Sequence, residues 1–180
     1  TLLTNITETT YPIWNTVAGG DSSVATLGTS SGNYYTGEIH SYAFDQDPTT
    51  KYTNFGSCSS TVYGFACGTK TGVYLTLNRG ASLLLAFQFT AANDNVYRDP
   101  FNVTIEGSNQ TSSALTLGSS WSLIYEGSSG LETDPGRRNP GKFRYIPENM
   151  IWYNSYRILI TAKRYNQTST QYAEISLYGY

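Results

Sequence analysis

The sequence predicts an all-β fold, and three observations carry that expectation. Short segments of alternating apolar and polar residues recur along the chain, separated by clusters of Gly, Asn, Pro and Ser. No stretch of a dozen residues holds a helical period. Aromatic residues make up 14% of the chain, sixteen of them tyrosine, and these side chains suit a pleated, half-buried surface. A length of 180 residues suits one domain with one sizeable core.

Taken in order, residues 1–16 read as a strand-like N-terminal extension, rich in Thr, Ile, Tyr and Trp, and residues 17–180 as a single domain. The segment from Val17 to Tyr35 is Gly/Ser-rich, ends in the tandem Tyr34-Tyr35, and reads as a long projecting loop. Ala43 to Gly56 follows as a polar turn holding Asp45, Asp47, Pro48, Thr49 and Thr50, closed by aromatics. Such a turn can cage a hard cation. Strands are expected at Val73 to Asn78, Leu83 to Thr90, Phe101 to Gly107, Trp121 to Glu126, Ser155 to Lys163 and Gln171 to Gly179. Six or more short antiparallel strands need two packed sheets or a barrel to bury their apolar faces. Trp121, Trp152, Phe87, Phe89 and Leu159 are the expected core anchors. Asp134 to Gly141 forms another loop, dense in turn residues and carrying Arg137 and Arg138, while Arg98-Asp99 reads as a local ion pair before Pro100.

Composition narrows the function. Charged residues are 13% of the chain and the net charge is -2, so no basic stripe is present to neutralise a phosphate backbone, and nucleic acid is excluded as a partner. No apolar run approaches the roughly 18 residues that span a bilayer. With no initiator Met and no leader pattern, the expectation is a mature secreted chain. Cys58 and Cys67 are the only cysteines and read as a disulfide closing a short loop, the alternatives being two free thiols or a metal pair. Four acceptor triplets, at Asn5, Asn102, Asn109 and Asn166, mark candidate N-glycosylation sites. Alternation in β-structure turns Asn102 to solvent and Phe101, Val103 and Ile105 to the core.

As a set, these segments resemble the galactose-binding-like superfamily: discoidin or coagulation-factor C-type domains and related carbohydrate-binding modules. The match runs from Gly37-Glu38 into Ala43-Phe44-Asp45-Gln46-Asp47-Pro48-Thr49-Thr50-Lys51-Tyr52. It continues through Asn93-Asp94, Arg98-Asp99-Pro100, Glu106-Gly107-Ser108-Asn109, Ser120-Trp121 and Tyr156-Arg157-Ile158 to Ala173-Glu174-Ile175-Ser176-Leu177-Tyr178-Gly179. Gln46 stands where the family has glycine and Tyr52 where it has tryptophan, and the Cys58 to Cys67 excursion looks like an insertion. The resemblance implies a jelly-roll β-sandwich of about eight antiparallel strands with ligand loops at one end. It also implies a structural Ca²⁺ held by the Asp45 and Glu174 carboxylates, the hydroxyl and carbonyl of Thr50, and the carbonyls of Tyr42, Asp47 and Ala173. Calcium accepts six to eight oxygens in flexible geometry, which this mixture of donors can meet. The bland alternative has the two aspartates capping their turn and Glu174 paired with a basic residue.

No activated nucleophile accompanies the single histidine, His40, and no carboxylate pair stands out for acid–base work, so a non-catalytic protein is expected. Two readings follow. The first is an extracellular adhesion or carbohydrate-recognition module, contacting glycans or glycoproteins through Tyr34, Tyr35, Tyr63, Phe65, Asn93, Asp94, Arg98, Arg137 and Arg138, since sugars stack on aromatic faces and bond to planar polar groups. The second is a self-assembling subunit of an extracellular fibre, joined by adding its N-terminal strand to a neighbour's sheet edge.

Overall fold

The computed structural model describes residues 1–180. Thirteen strands follow one another: β1 Thr10–Trp14, β2 Ser23–Val24, β3 Thr26–Leu27, β4 Asn33–Tyr34, β5 Tyr52–Asn54, β6 Thr71–Thr76, β7 Leu84–Thr90, β8 Pro100–Ser108, β9 Ser122–Ser128, β10 Arg144–Tyr145, β11 Ser155–Lys163, β12 Thr170–Tyr172 and β13 Glu174–Gly179. They build a six-stranded sheet in the order β2-β1-β6-β11-β8-β9, a three-stranded sheet β10-β7-β13 and a four-stranded sheet β12-β5-β4-β3. All pairings are antiparallel except β3 with β4. The architecture is a β-sandwich. Several of its strands are short pieces that periodicity alone does not resolve.

The core lies between the sheets and follows from alternation. Val73 and Leu75 of β6, Val103 and Ile105 of β8, and Tyr156, Ile158 and Ile160 of β11 meet Phe87 and Phe89 of β7 and Ile175 and Leu177 of β13. Every second residue therefore points inward. The opposite face of the large sheet is also covered: Ile13, Tyr74 and Leu159 pack with Leu115 and Trp121 in a second, smaller cluster. Two of the expected anchors, Trp121 and Leu159, thus belong to this outer cluster.

Four expectations need correcting. Trp152 is 48% exposed, because it sits in the irregular segment before β11, where its carbonyl accepts a bond from Asn109 Nδ2. Phe101 is exposed while Val103 and Ile105 are buried; the register shift around Ala162 on the partner strand breaks the alternation at that end. The segment from Val17 to Tyr35 does not project. Arg157, with its side chain fully buried, bonds Glu106 at 2.6 and 2.9 Å and also holds the Gly20 carbonyl and the Ser22 hydroxyl, while Gly19 N–H donates to Glu106. This buried pair draws residues 17–22 onto the sheet, and β2, β3 and β4 come from the remainder. Finally, Arg98 does not pair with Asp99. The Asp99 carboxylate is buried against Arg137 at 2.9 and 2.5 Å, and Arg98 turns to Gln167.

Residues 1–16 are woven into the sandwich. Strand β1 lies between β2 and β6, and Leu3 is part of the main core. The Cys58–Cys67 disulfide is present, and it closes the segment between β5 and β6.

Candidate functional site

The expected last strand is broken at Ala173, whose N–H bonds to Thr90 O at 2.9 Å. Before the break, β12 pairs with β5; after it, β13 pairs with β7. The chain changes sheets there, and the change brings Glu174 beside the Asp45 turn.

In that turn Asp45 accepts Asp47 N–H at 2.9 Å and the Thr50 hydroxyl at 2.8 Å, and Thr50 Oγ1 also reaches Asp47 O at 3.0 Å. Gln46 takes a left-handed φ of 62°, the conformation that glycine adopts more readily. Glu174 accepts Asp47 N–H at 3.0 Å. Its carboxyl is pushed up to about 8, first by burial and then by the Asp45 carboxylate beside it, against the pull of the Gln46 and Asp47 amides. Neither acid takes part in an ion pair, so the basic partner that the bland reading requires for Glu174 is not supplied. Tyr42 lies in the short 3₁₀ segment His40–Phe44 leading into the turn, and Ala173 directly precedes Glu174. No third acid or imidazole joins the two carboxylates; the other oxygens bonded within the turn are the Thr50 hydroxyl and the Asp47 carbonyl. Two touching acids, one of them buried, with neutral oxygens around them, form a donor set that suits a hard cation.

Next to this turn opens a polar cleft of about 260 Å³, walled by Tyr35, Glu38, Lys51, Asp94, Arg98 and Ser169 among others. Lys51 is its hub. Its ammonium donates to Asp94 Oδ1 at 2.8 Å and Gln171 Oε1 at 2.9 Å and lies 3.7 Å from Glu38. Burial works against ionisation of Asp94, but hydrogen bonds from Lys51 and Gln171 and the charges of Lys51 and Arg98 outweigh it and hold the carboxyl below its usual range. Tyr35 is exposed and stands edge-on to the buried Phe55, 6.1 Å between centroids, which fixes its ring at the cleft wall. A second cavity of about 260 Å³ shares Glu38 and Lys51 with the first and adds Asn93, Tyr42 and Thr50. The cleft and the acidic turn therefore adjoin.

Of the residues expected to contact ligand, Tyr35, Asn93, Asp94 and Arg98 come together here. Tyr34 does not: its ring stands edge-on to His40 and Tyr52 and packs on the core. Arg137 is committed to Asp99 and Asp134. Arg138 is exposed and walls neither cavity. Tyr63 and Phe65 are exposed on the disulfide loop. Sequence reasoning missed Glu38, Lys51, Ser169 and Gln171 as site residues. Glu38 and Lys51 lie inside the segment that carries the resemblance, but nothing in the one-dimensional pattern marks Gln171, a buried residue in a strand.

The four acceptor asparagines differ. Asn5 and Asn166 are exposed and Asn102 is partly so. Asn109 is engaged: Nδ2 donates to Trp152 O at 3.0 Å, and Oδ1 accepts from Asn154 at 2.9 and 3.0 Å.

No family model matches the chain. Nor does any curated protein. Among solved structures, the chain is similar to the family 32 carbohydrate-binding module of Clostridium perfringens NanJ in complex with galactose, with a TM-score of 0.59, 12% identity and coverage of 98% of this chain and 97% of that one. A second C. perfringens family 32 module, in complex with GalNAc-β-1,3-galactose, gives a TM-score of 0.59 at 11% identity over 99% of this chain and 100% of that one. Chitosan-binding module 1 of a Paenibacillus sp. IK-5 chitosanase/glucanase gives 0.54 at 15% identity over 99% of each chain. At such identities the likeness is one of fold, a β-sandwich, which is the fold class that the sequence resemblance implied.

Proposed function

We propose that this protein is a non-catalytic carbohydrate-binding module of extracellular surfaces, taking a sugar in the cleft between Tyr35 and Arg98. The observation that carries the reading is the Lys51 hub. Glu38, Asp94 and Gln171 hold a buried ammonium at the floor of an open polar cleft with an exposed tyrosine at its wall. Sugar hydroxyls need both donors and acceptors, which Lys51, Arg98, Glu38 and Asp94 offer, and the apolar face of a sugar ring needs an aromatic platform, which Tyr35 offers. Structural neighbours in complex with galactose and with GalNAc-β-1,3-galactose, and a chitosan-binding module, support the same class of ligand.

Calcium belongs to this reading. Asp45, Glu174, the Thr50 hydroxyl and carbonyl, and the carbonyls of Tyr42, Asp47 and Ala173 would hold it, and its charge would offset the repulsion between the two acids. Secretion is the setting expected of a disulfide-bonded module with N-glycans. Asn5, Asn102 and Asn166 are the acceptors suited to carry them, whereas a glycan on Asn109 would compete with its bond to Trp152. Strand β1 hydrogen-bonds β6 and β2 of its own chain, so a fibre joined through that strand would require exchanging these pairings between molecules.

The test is a broad glycan array in calcium buffer, followed by calorimetry with galactose and GalNAc. Binding that falls at least tenfold in Lys51→Met is expected. No binding on the array overturns the reading.

A further inference from the structure

Three exposed aromatic rings stand beside the cleft and outside the core: Phe65 at 60% exposure, Tyr165 at 53% and Tyr97 at 51%. The Tyr165 centroid lies 5.2 Å from each of the other two, edge-on to Phe65 and tilted to Tyr97. Single exposed apolar side chains are ordinary, but a contiguous trio of rings marks a contact surface.

The backbone under the trio is tied down. The Cys58–Cys67 disulfide closes the loop that carries Phe65. The Lys163 ammonium, buried below, donates to the carbonyls of Gly64 at 2.6 Å, Tyr165 at 2.8 Å and Gln167 at 3.1 Å, stapling that loop to the one carrying Tyr165. Tyr165 N–H bonds in turn to Tyr97 O at 3.1 Å. A platform fixed in this way loses little freedom when a ligand settles on it.

Each ring also rides on a segment that walls the cleft. Phe65 shares the disulfide loop with Ser60, Tyr97 adjoins Arg98, and Tyr165 leads into Thr168 and Ser169. Tyr165 is the middle ring, 5.2 Å from both Phe65 and Tyr97, so the three rings continue the cleft wall as neighbours in contact. We infer that the ridge Phe65–Tyr165–Tyr97 is a further sugar subsite continuous with the cleft, and that the ligand is an oligosaccharide of several units instead of one terminal sugar. This rests on the cleft being a sugar site.

The experiment is calorimetry on the full chain in calcium buffer, after enzymatic removal of N-glycans so that none on Asn166 covers the ridge. The probes are chitosan oligosaccharides and β-1,4-galacto-oligosaccharides of one to five units. Affinity for one series should rise at least tenfold from monomer to tetramer. In Phe65→Ser, Tyr165→Ser and Tyr97→Ser that ratio should fall below threefold, with thermal melts showing which variants keep the fold. Measurable monosaccharide binding with no gain on lengthening overturns the ridge and leaves the cleft intact. So does a gain that survives in all three folded variants. No binding to either series or on a broad array overturns cleft and ridge together. Saturable binding to phosphatidylcholine vesicles, abolished by Phe65→Ser and accompanied by a flat length dependence, would assign the ridge to a lipid surface instead.

Discussion

Arg157 and Glu106 meet where the sheet's outer face is itself covered, so each neutralises a charge that has no access to water. Arg157 also lies 4.9 Å from the Trp121 ring centroid, adding an aromatic contact to the ion pair. Arg157→Met would leave Glu106 buried and unpaired, a cost of about 3–5 kcal/mol, read from the shift in denaturant midpoint. Glu106 lies on the opposite face of β8 from Ile105 and yet is buried. That a loop closes over it was not legible, since the partners bonded to the pair are backbone groups of Gly19 and Gly20 and a serine hydroxyl. Glu174 gives a prediction of a different kind. Its folded carboxyl sits at about 8, raised above the ordinary 4.5. A raised carboxyl contributes stability that is fully present below the unfolded value and is lost as pH rises through the folded one. The chelated protein should therefore lose stability between about pH 4.5 and 8, the window set by those two values. Urea melts in chelator at pH 5 and pH 8.5 check it, and Glu174→Gln should flatten the slope.

Among the elements, β6 depends on a glycine. A Cβ on Gly72 would stand 1.8 Å from Ile158 O, inside the ladder that joins β6 to β11. Gly72→Ala must push two central strands apart, and an expected loss of about 2–4 kcal/mol places it among the severe single substitutions; thermal denaturation measures it. The disulfide loop behaves otherwise. Cys58→Ser with Cys67→Ser should cost about 2–3 kcal/mol by the loop-entropy model, with hydrogen-exchange protection lost first around Phe65 and Lys163 rather than in β6, β8 and β11. The long strands were legible because their alternation is strong; β11 emerges with the expected bounds, Ser155–Lys163. β2, β3 and β10 were not, because two residues carry no period. The break at Ala173 was also invisible: the residues on both sides are apolar enough to continue one strand, and only the choice between β5 and β7 as partner divides them.

For the molecule as a whole, the cleft and the acidic turn lie side by side, so ligand and cation should report on each other and on global stability. A cation at a hundredfold its dissociation constant stabilises the fold by about 2.7 kcal/mol, which in a chain of this size raises Tm by about 5 to 10 °C. Scanning calorimetry with and without Ca²⁺ after thorough chelation measures that shift. Asp45→Asn should abolish it, and an unchanged Tm in the parent protein would dismiss the cation. By itself the sequence determined the fold class, the pairing of its two cysteines and the low net charge, and it pointed to the polar loop residues Tyr35, Asn93, Asp94 and Arg98 that line the two adjoining cavities. Those properties follow from local periodicity, composition and turn chemistry. Tertiary structure alone decided that Lys51 and Gln171 underlie the cleft, that Arg137 serves Asp99 and Tyr34 the core, and that Glu174 comes to lie against Asp45. Each of these depends on which distant strand a residue is paired with and which way its side chain points, and those are settled by packing between sheets rather than by neighbours along the chain.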